Sequence, residues 1–142
     1  MWIEITNQAG IDELMEKFGY FHDTCIRDIY ISTQDFVNER RSMHFDNVLT
    51  ISLLFQRQSN ENSVLELKFE AVKQMDIECL FEYGSTLIDT EATLKIENNL
   101  LYWANDFNWT PDDNDEWWIS SERLFWRFRP KLLGNVKRIN DN

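Results

Sequence analysis

In two stretches between Leu49 and Phe69 apolar residues recur at every second position. Leu49, Ile51, Leu53 and Phe55 lead into the polar run Gln58 to Asn62, after which Leu65, Leu67 and Phe69 alternate with Glu66, Lys68 and Glu70. A period of two sends successive side chains to opposite faces of a strand and fits no helix, so the span predicts two antiparallel strands sharing one buried face. Folded about Asn60, the pair sets Phe55 opposite Leu65, Leu53 opposite Leu67 and Ile51 opposite Phe69, all six on one side. A second hairpin is predicted to turn at Asn98-Asn99, because asparagine tolerates the left-handed conformation that a two-residue turn demands. It faces Ile96 with Leu101 and Leu94 with Trp103.

Around these hairpins the remaining pattern is shorter. Residues 2 to 6 predict a brief strand. Ile11, Leu14, Met15 and Phe18 fall at i, i+3, i+4 and i+7, one stripe of an amphipathic helix with Asp12 and Glu13 near its start and Gly19 just past its end. Cys25 to Ile31 reads as a strand whose isoleucines break alternation, as a bulge near Arg27-Asp28 would cause. Ser32 to Asp46 reads as a loop or hairpin tip, and residues 71 to 90 as one or two strands of open register. Trp117 to Phe128 reads as a strand that buries Trp118, Leu124, Trp126 and Phe128 and stops at Pro130. No repeat or Gly/Ser linker divides the chain. The expectation is one α+β domain over residues 1–142, in which six to eight antiparallel strands form a strongly curved sheet or half-barrel with one N-terminal amphipathic helix. Residues 131–142 make a basic tail that could be partly disordered.

At 142 residues and 43% hydrophobic the chain can build its core without a metal or disulfide staple. Cys25 and Cys79 lack a CxxC spacing and are expected to be reduced core thiols. The start, Met-Trp-Ile-Glu-Ile-Thr, shows no secretory signal and no long apolar run occurs, so the expected compartment is the cytoplasm, with no membrane contact. Net charge is −11, unevenly spread: the last 26 residues carry six Lys and Arg against Glu122 and Asp141, leaving the first 116 at about −15. Such a body repels phosphate backbones and attracts basic partners, which disfavours nucleic acid. The cations of the C-terminal part, Arg123, Arg127, Arg129, Lys131, Lys137 and Arg138, form the one place where a phosphate could dock, and pairing with the chain's own carboxylates is the favoured expectation for them.

Between Trp109 and Trp118 four carboxylates, Asp112, Asp113, Asp115 and Glu116, stand among three indoles. Two readings fit. The segment can be a solvated loop whose tryptophans plug the end of the core. Alternatively it is a contact surface, on which the four acids hold a basic protein partner around an indole anchor at Trp109 or Trp117. Strict alternation separates them: with Trp118 buried beside Trp126, Trp117 would face the opposite side, and an exposed Trp117 would call for a partner. His22-Asp23 and His44-x-Asp46 offer acid/base groups or ligands, but each heads a strand and a metal site would need both segments to converge. Three positions apart on a strand, His22 and Cys25 point to opposite faces and make no dyad. No GxSxG, HExxH, phosphate-cradling or dinucleotide motif occurs, so no catalytic residue, metal or cofactor is assigned.

Phe21-His22-Asp23-Thr24-Cys25-Ile26, Leu65-Glu66-Leu67-Lys68-Phe69 and the Trp-rich last strand together resemble a loose group of small acidic bacterial proteins of unknown function, some regarded as immunity proteins of toxin systems. The resemblance spans residues 20 to 128 and brings no functional residues with it. It implies a binding protein rather than an enzyme, and with the charge argument above the expectation is an antitoxin-like inhibitor of a basic partner. The alternative from the residues themselves is a small-ligand or enzymatic domain with an aromatic pocket in the curved sheet.

Overall fold

In the computed structural model, which describes residues 1–77, 86–113 and 116–136, both hairpins form in the predicted register. β5 (Leu49–Arg57) and β6 (Val64–Asp76) pair Phe55 with Leu65, Leu53 with Leu67 and Ile51 with Phe69. β8 (Thr93–Glu97) and β9 (Leu100–Ala104) pair Ile96 with Leu101 and Leu94 with Trp103. Asn98 and Asn99 turn at φ 53° and 62°, the left-handed values a mirror-image two-residue turn needs.

The other elements are β1 (Ile3–Ile5), α1 (Gln8–Lys17), β2 (Thr24–Thr33), a small separate hairpin of β3 (Phe36–Val37) and β4 (Met43–His44), β7 (Leu87–Ile88) and β10 (Trp118–Phe128). Seven strands run in the order β7-β2-β5-β6-β10-β9-β8, and β1 adds to β10. All pairings are antiparallel, and the sheet curls into a half-barrel. The expected bulge in β2 is present as a register shift between Ile26 and Asp28. Of the unassigned span 71 to 90, the first part extends β6 and the last pairs with Thr24 and Cys25 as β7; Cys79, Leu80, Phe81 and Tyr83 lie outside the described residues.

α1 starts at Asn7, whose side chain accepts the Gly10 N–H at 2.9 Å, and ends at Gly19 with φ 59°. A Cβ at Gly19 would run into the Arg57 guanidinium, which donates to the carbonyls of Lys17, Glu61 and Asn62 and lies over the Phe18 ring. The stripe Ile11, Leu14, Met15 and Phe18 joins the six hairpin residues, Trp103 and Trp126 in one core. Phe18, Phe21 and Phe55 pack edge to face there at centroid distances of 5.0 and 5.1 Å, and Phe55 meets Trp103 at 5.4 Å.

The opposite face is also covered. Leu54, Val64 and Leu132 form a small second core, and Gln56 donates to the carbonyls of Leu132 and Gly134, both at 2.8 Å. Leu132 and Gly134, within the span 131–142 expected as a tail, are thus held against the sheet. Glu66, predicted on the polar face of β6, is buried there between Arg127 and Arg129. Trp2 lies between Lys68 and Arg127, with 4.5 and 4.1 Å from its ring centroid to the two cations. Cys25 is a free thiol but half-buried rather than a core residue. Among the described residues no helix is long and apolar enough to cross a membrane.

Candidate functional site

The chain leaves β9 at Ala104 and re-enters the sheet at Trp118, and the intervening loop is fastened at its base, flank and tip. At the base, Asn105 donates its N–H to the Trp117 carbonyl at 3.0 Å while its Oδ1 accepts the Trp117 N–H at 3.1 Å. The tip is a turn over Thr110-Pro111-Asp112-Asp113. There the Asp113 N–H donates to the Thr110 carbonyl at 2.9 Å and the Asp113 carboxylate accepts the Thr110 N–H at 2.8 Å. Proline at the second position of such a turn has its φ already set. On the flank, the Thr93 hydroxyl of β8 donates to the Asp106 carbonyl at 2.6 Å and accepts the Trp109 N–H at 3.1 Å.

All three indoles of the segment are buried. Trp109 and Trp118 pack with ring centroids 4.9 Å apart and planes tilted by 38° on the outer face of the sheet, with Tyr102 and Ala104, and the Lys95 ammonium lies 5.7 Å from the Trp109 ring centroid. Trp117 belongs to the main core on the inner face. Of the two readings of the segment, the indoles follow the core-plugging one, with Trp117 5% exposed and no exposed anchor, and one expectation is corrected: Trp118 does not share a side with Trp126. The cause lies where β10 meets β6. Their register shifts between Ser120 and Ser121, with Lys73 of β6 as the extra residue, and Ala71 of β6 has φ 52°. The Ser121 hydroxyl turns onto the Arg123 carbonyl at 2.9 Å. Alternation is lost across this irregularity, so the odd residues Trp117 and Ile119 and the even residues Leu124 and Trp126 enter the same core.

What the loop shows to solvent is its carboxylates. Asp112 and Asp113 are exposed, Glu116 is half-buried, and Asp115 lies outside the described residues. Asp106 is exposed as well, and beside it Phe107 is 54% exposed, a large aromatic that the indole-centred reading passes over. Its signal was present in Asn105-Asp106-Phe107-Asn108, where one apolar residue stands among turn formers, and Asn108 indeed has φ 53°. Phe107 borders an open groove of about 410 Å³ whose other walls include Met15, Glu91, Ala92, Leu94 and Trp109. From residue 86 to 113 the chain carries six carboxylates and one cation, Lys95, which Glu97 holds at 3.2 Å.

The histidines stay apart from this groove's lining. His22 bonds Asp23 at 2.9 Å, and the Thr24 hydroxyl donates to the His22 carbonyl at 3.2 Å, the local turn chemistry expected at a strand entry. His44 stacks on Phe36 at 4.8 Å and bonds the Asn38 amide at 2.9 Å. Among the described residues no three His, Cys, Asp or Glu side chains gather where they could hold a metal ion. The cations Arg123, Arg127 and Arg129 pair with Glu4, Glu70 and Glu66. Hydrogen bonding to Arg123 holds the Glu4 carboxyl below its ordinary value. Lys137 and Arg138 lie outside the described residues.

No family model matches the chain, and no curated protein and no solved structure matches it.

Proposed function

We propose that this protein is a binding module that recognises a basic protein partner through its acidic loop and the adjoining groove, and that it acts by covering that partner, as an antitoxin-like inhibitor would. One observation carries the reading: Asp106, Phe107, Asp112 and Asp113 are exposed together on a loop that Asn105, Thr93 and the buried Trp109 hold in place. Carboxylates on a fastened loop lose little freedom when a partner docks, and an exposed aromatic ring among them supplies apolar contact. The rest of the body adds reach. With about −15 over its first 116 residues the protein attracts cations over a Debye length, ~8 Å at physiological salt, and so favours fast encounter with a basic surface.

The concave side of the sheet offers less support for a ligand pocket, since Phe18, Phe21, Phe55 and Trp103 fill it and are fully buried. A small ligand would have to use the groove beside β8 instead. The test is affinity capture by the immobilised protein from lysate of the source organism at low and at high salt. A basic protein retained at low salt and released at high salt is the expected result; capture of no protein, or capture indifferent to salt, counts against the reading.

A further inference from the structure

β8 is the last strand on its side of the sheet, and among the described residues nothing pairs with its outer edge. The hairpin geometry says which backbone groups that edge presents. A two-residue turn is flanked by a hydrogen-bonded pair, here Glu97 and Leu100, so the alternation of an antiparallel ladder also bonds Lys95 to Tyr102 and Thr93 to Ala104. Leu94 and Ile96 are left with their N–H and C=O directed away from β9. Their side chains meanwhile point to the inner face, opposite Trp103 and Leu101.

The groove described above runs along this edge. Thr93, Leu94 and Lys95 line it, with Met15 of α1 on one flank and Phe107 and Trp109 on the other. The Trp109 indole N–H is buried and has no acceptor among the described residues. A free strand edge between a helix and an aromatic loop is the arrangement into which an extended segment can add as one more strand, its alternate side chains falling to the two flanks. Charge selects the segment: Glu91 lines the groove, Glu97 lies on β8 itself, and the exposed Asp106 is tied to Thr93.

We infer that the protein takes its partner by strand addition, pairing an extended, lysine- or arginine-containing segment with the outer edge of β8 through Leu94 and Ile96 while an apolar side chain of that segment enters the groove against Phe107. The inference rests on the acidic-face reading and specifies how the face is used. Strand addition draws on the main chain, so it tolerates variation in sequence provided the segment is extended and basic.

A fluorescein-labelled nonapeptide of alternating lysine and valine is the probe, titrated by anisotropy against the full chain. Saturable binding is expected, and Ile96→Pro should weaken it by about ten-fold or more, because proline removes an outward N–H without touching a β8–β9 bond. Phe107→Ala should weaken it too. Because a proline variant can fail to fold, a second arm keeps the protein unchanged and N-methylates the peptide. Methylation of alternate amides in one register should abolish binding, and in the other register leave it intact. No saturable binding, equal binding by a folded Ile96→Pro variant, or indifference to methylation register would each overturn strand addition. Peptide binding that falls with salt yet ignores both the proline and the methyl groups would do so while leaving the acidic-face reading in place.

Discussion

Glu66 is 2% exposed and its Oε2 lies 3.1 Å from Arg127 and 2.7 Å from Arg129, so one carboxylate holds two cations against the outer face of β6. Removing one partner of a buried pair strands the others, and Glu66→Ala should cost about 2–4 kcal/mol, somewhat discounted because Arg127 still touches water. A urea melt measures it; a loss below about 0.5 kcal/mol, the level of an ordinary surface substitution, would mean the arginines are solvated without it. In the acidic segment two aromatic substitutions should separate cleanly. Trp117→Ala empties part of the main core and should cost about 3–5 kcal/mol, whereas Phe107→Ala should stay within about 0.5 kcal/mol. Equal losses in thermal melts would mean that Phe107 is packed rather than displayed. Glu4 adds a pH effect. Its carboxyl is held low in the folded protein by Arg123, so the stabilisation it contributes is present above the ordinary carboxylate range and is lost as pH falls through the lowered value. Glu4→Gln should accordingly flatten the acid limb of the stability profile, and an unchanged limb would remove Glu4 from the account.

β5, β6, β8 and β9 were legible because two signals agreed in each hairpin, a period of two and a turn of suitable residues, and together these fix register as well as facing. β10 was legible as a strand but not as a continuous face. Across Ser120-Ser121-Glu122-Arg123 no apolar residue marks which side is inward, so the break in alternation left no trace, and with it went the placement of Trp117 and Trp118. The covering of the outer face showed only in Leu54 and Val64, apolar at positions that alternation assigns to the outer side, since Trp2, Leu132 and Glu66 each reach their partners through long-range contacts. That covering alters one expectation for β6. Leu67→Ala should cost roughly 2–5 kcal/mol. Lys68, read from alternation alone as a free surface residue, lies between Trp2 and Phe125 with its ammonium 4.5 and 4.8 Å from their ring centroids. Lys68→Ala should therefore cost about 1 kcal/mol rather than nothing. Denaturant melts of the two variants test both layers: equal costs would contradict the facing of β6, and no cost at Lys68 would mean the aromatic pair does not hold it.

Over the whole molecule, the curled sheet carries a main core on its inner face and smaller clusters on its outer face, and it brings one acidic loop, the exposed Phe107 ring and the free edge of β8 together. The sequence pointed to the loop through its run of carboxylates, and charge arithmetic pointed to a basic partner. That Phe107 stands exposed while the indoles are buried was not legible, because burial of the indoles depends on the irregularity where β10 meets β6 and on Thr93 reaching across from β8. The loop's tryptophans thus serve as its frame, and its carboxylates with Phe107 are the surface we propose for partner contact. The measurement that tests this most directly is a salt titration of partner capture by the triple variant Asp106→Asn, Asp112→Asn and Asp113→Asn, in which the Asp113 turn bond survives because asparagine also accepts. The variant should melt like the parent protein, capture less partner at low salt and lose most of the parent's salt dependence, since exposed charges act through screened long-range attraction. Capture and salt slope that match the parent's would contradict the account and leave the segment as a solvated loop closing the end of the core.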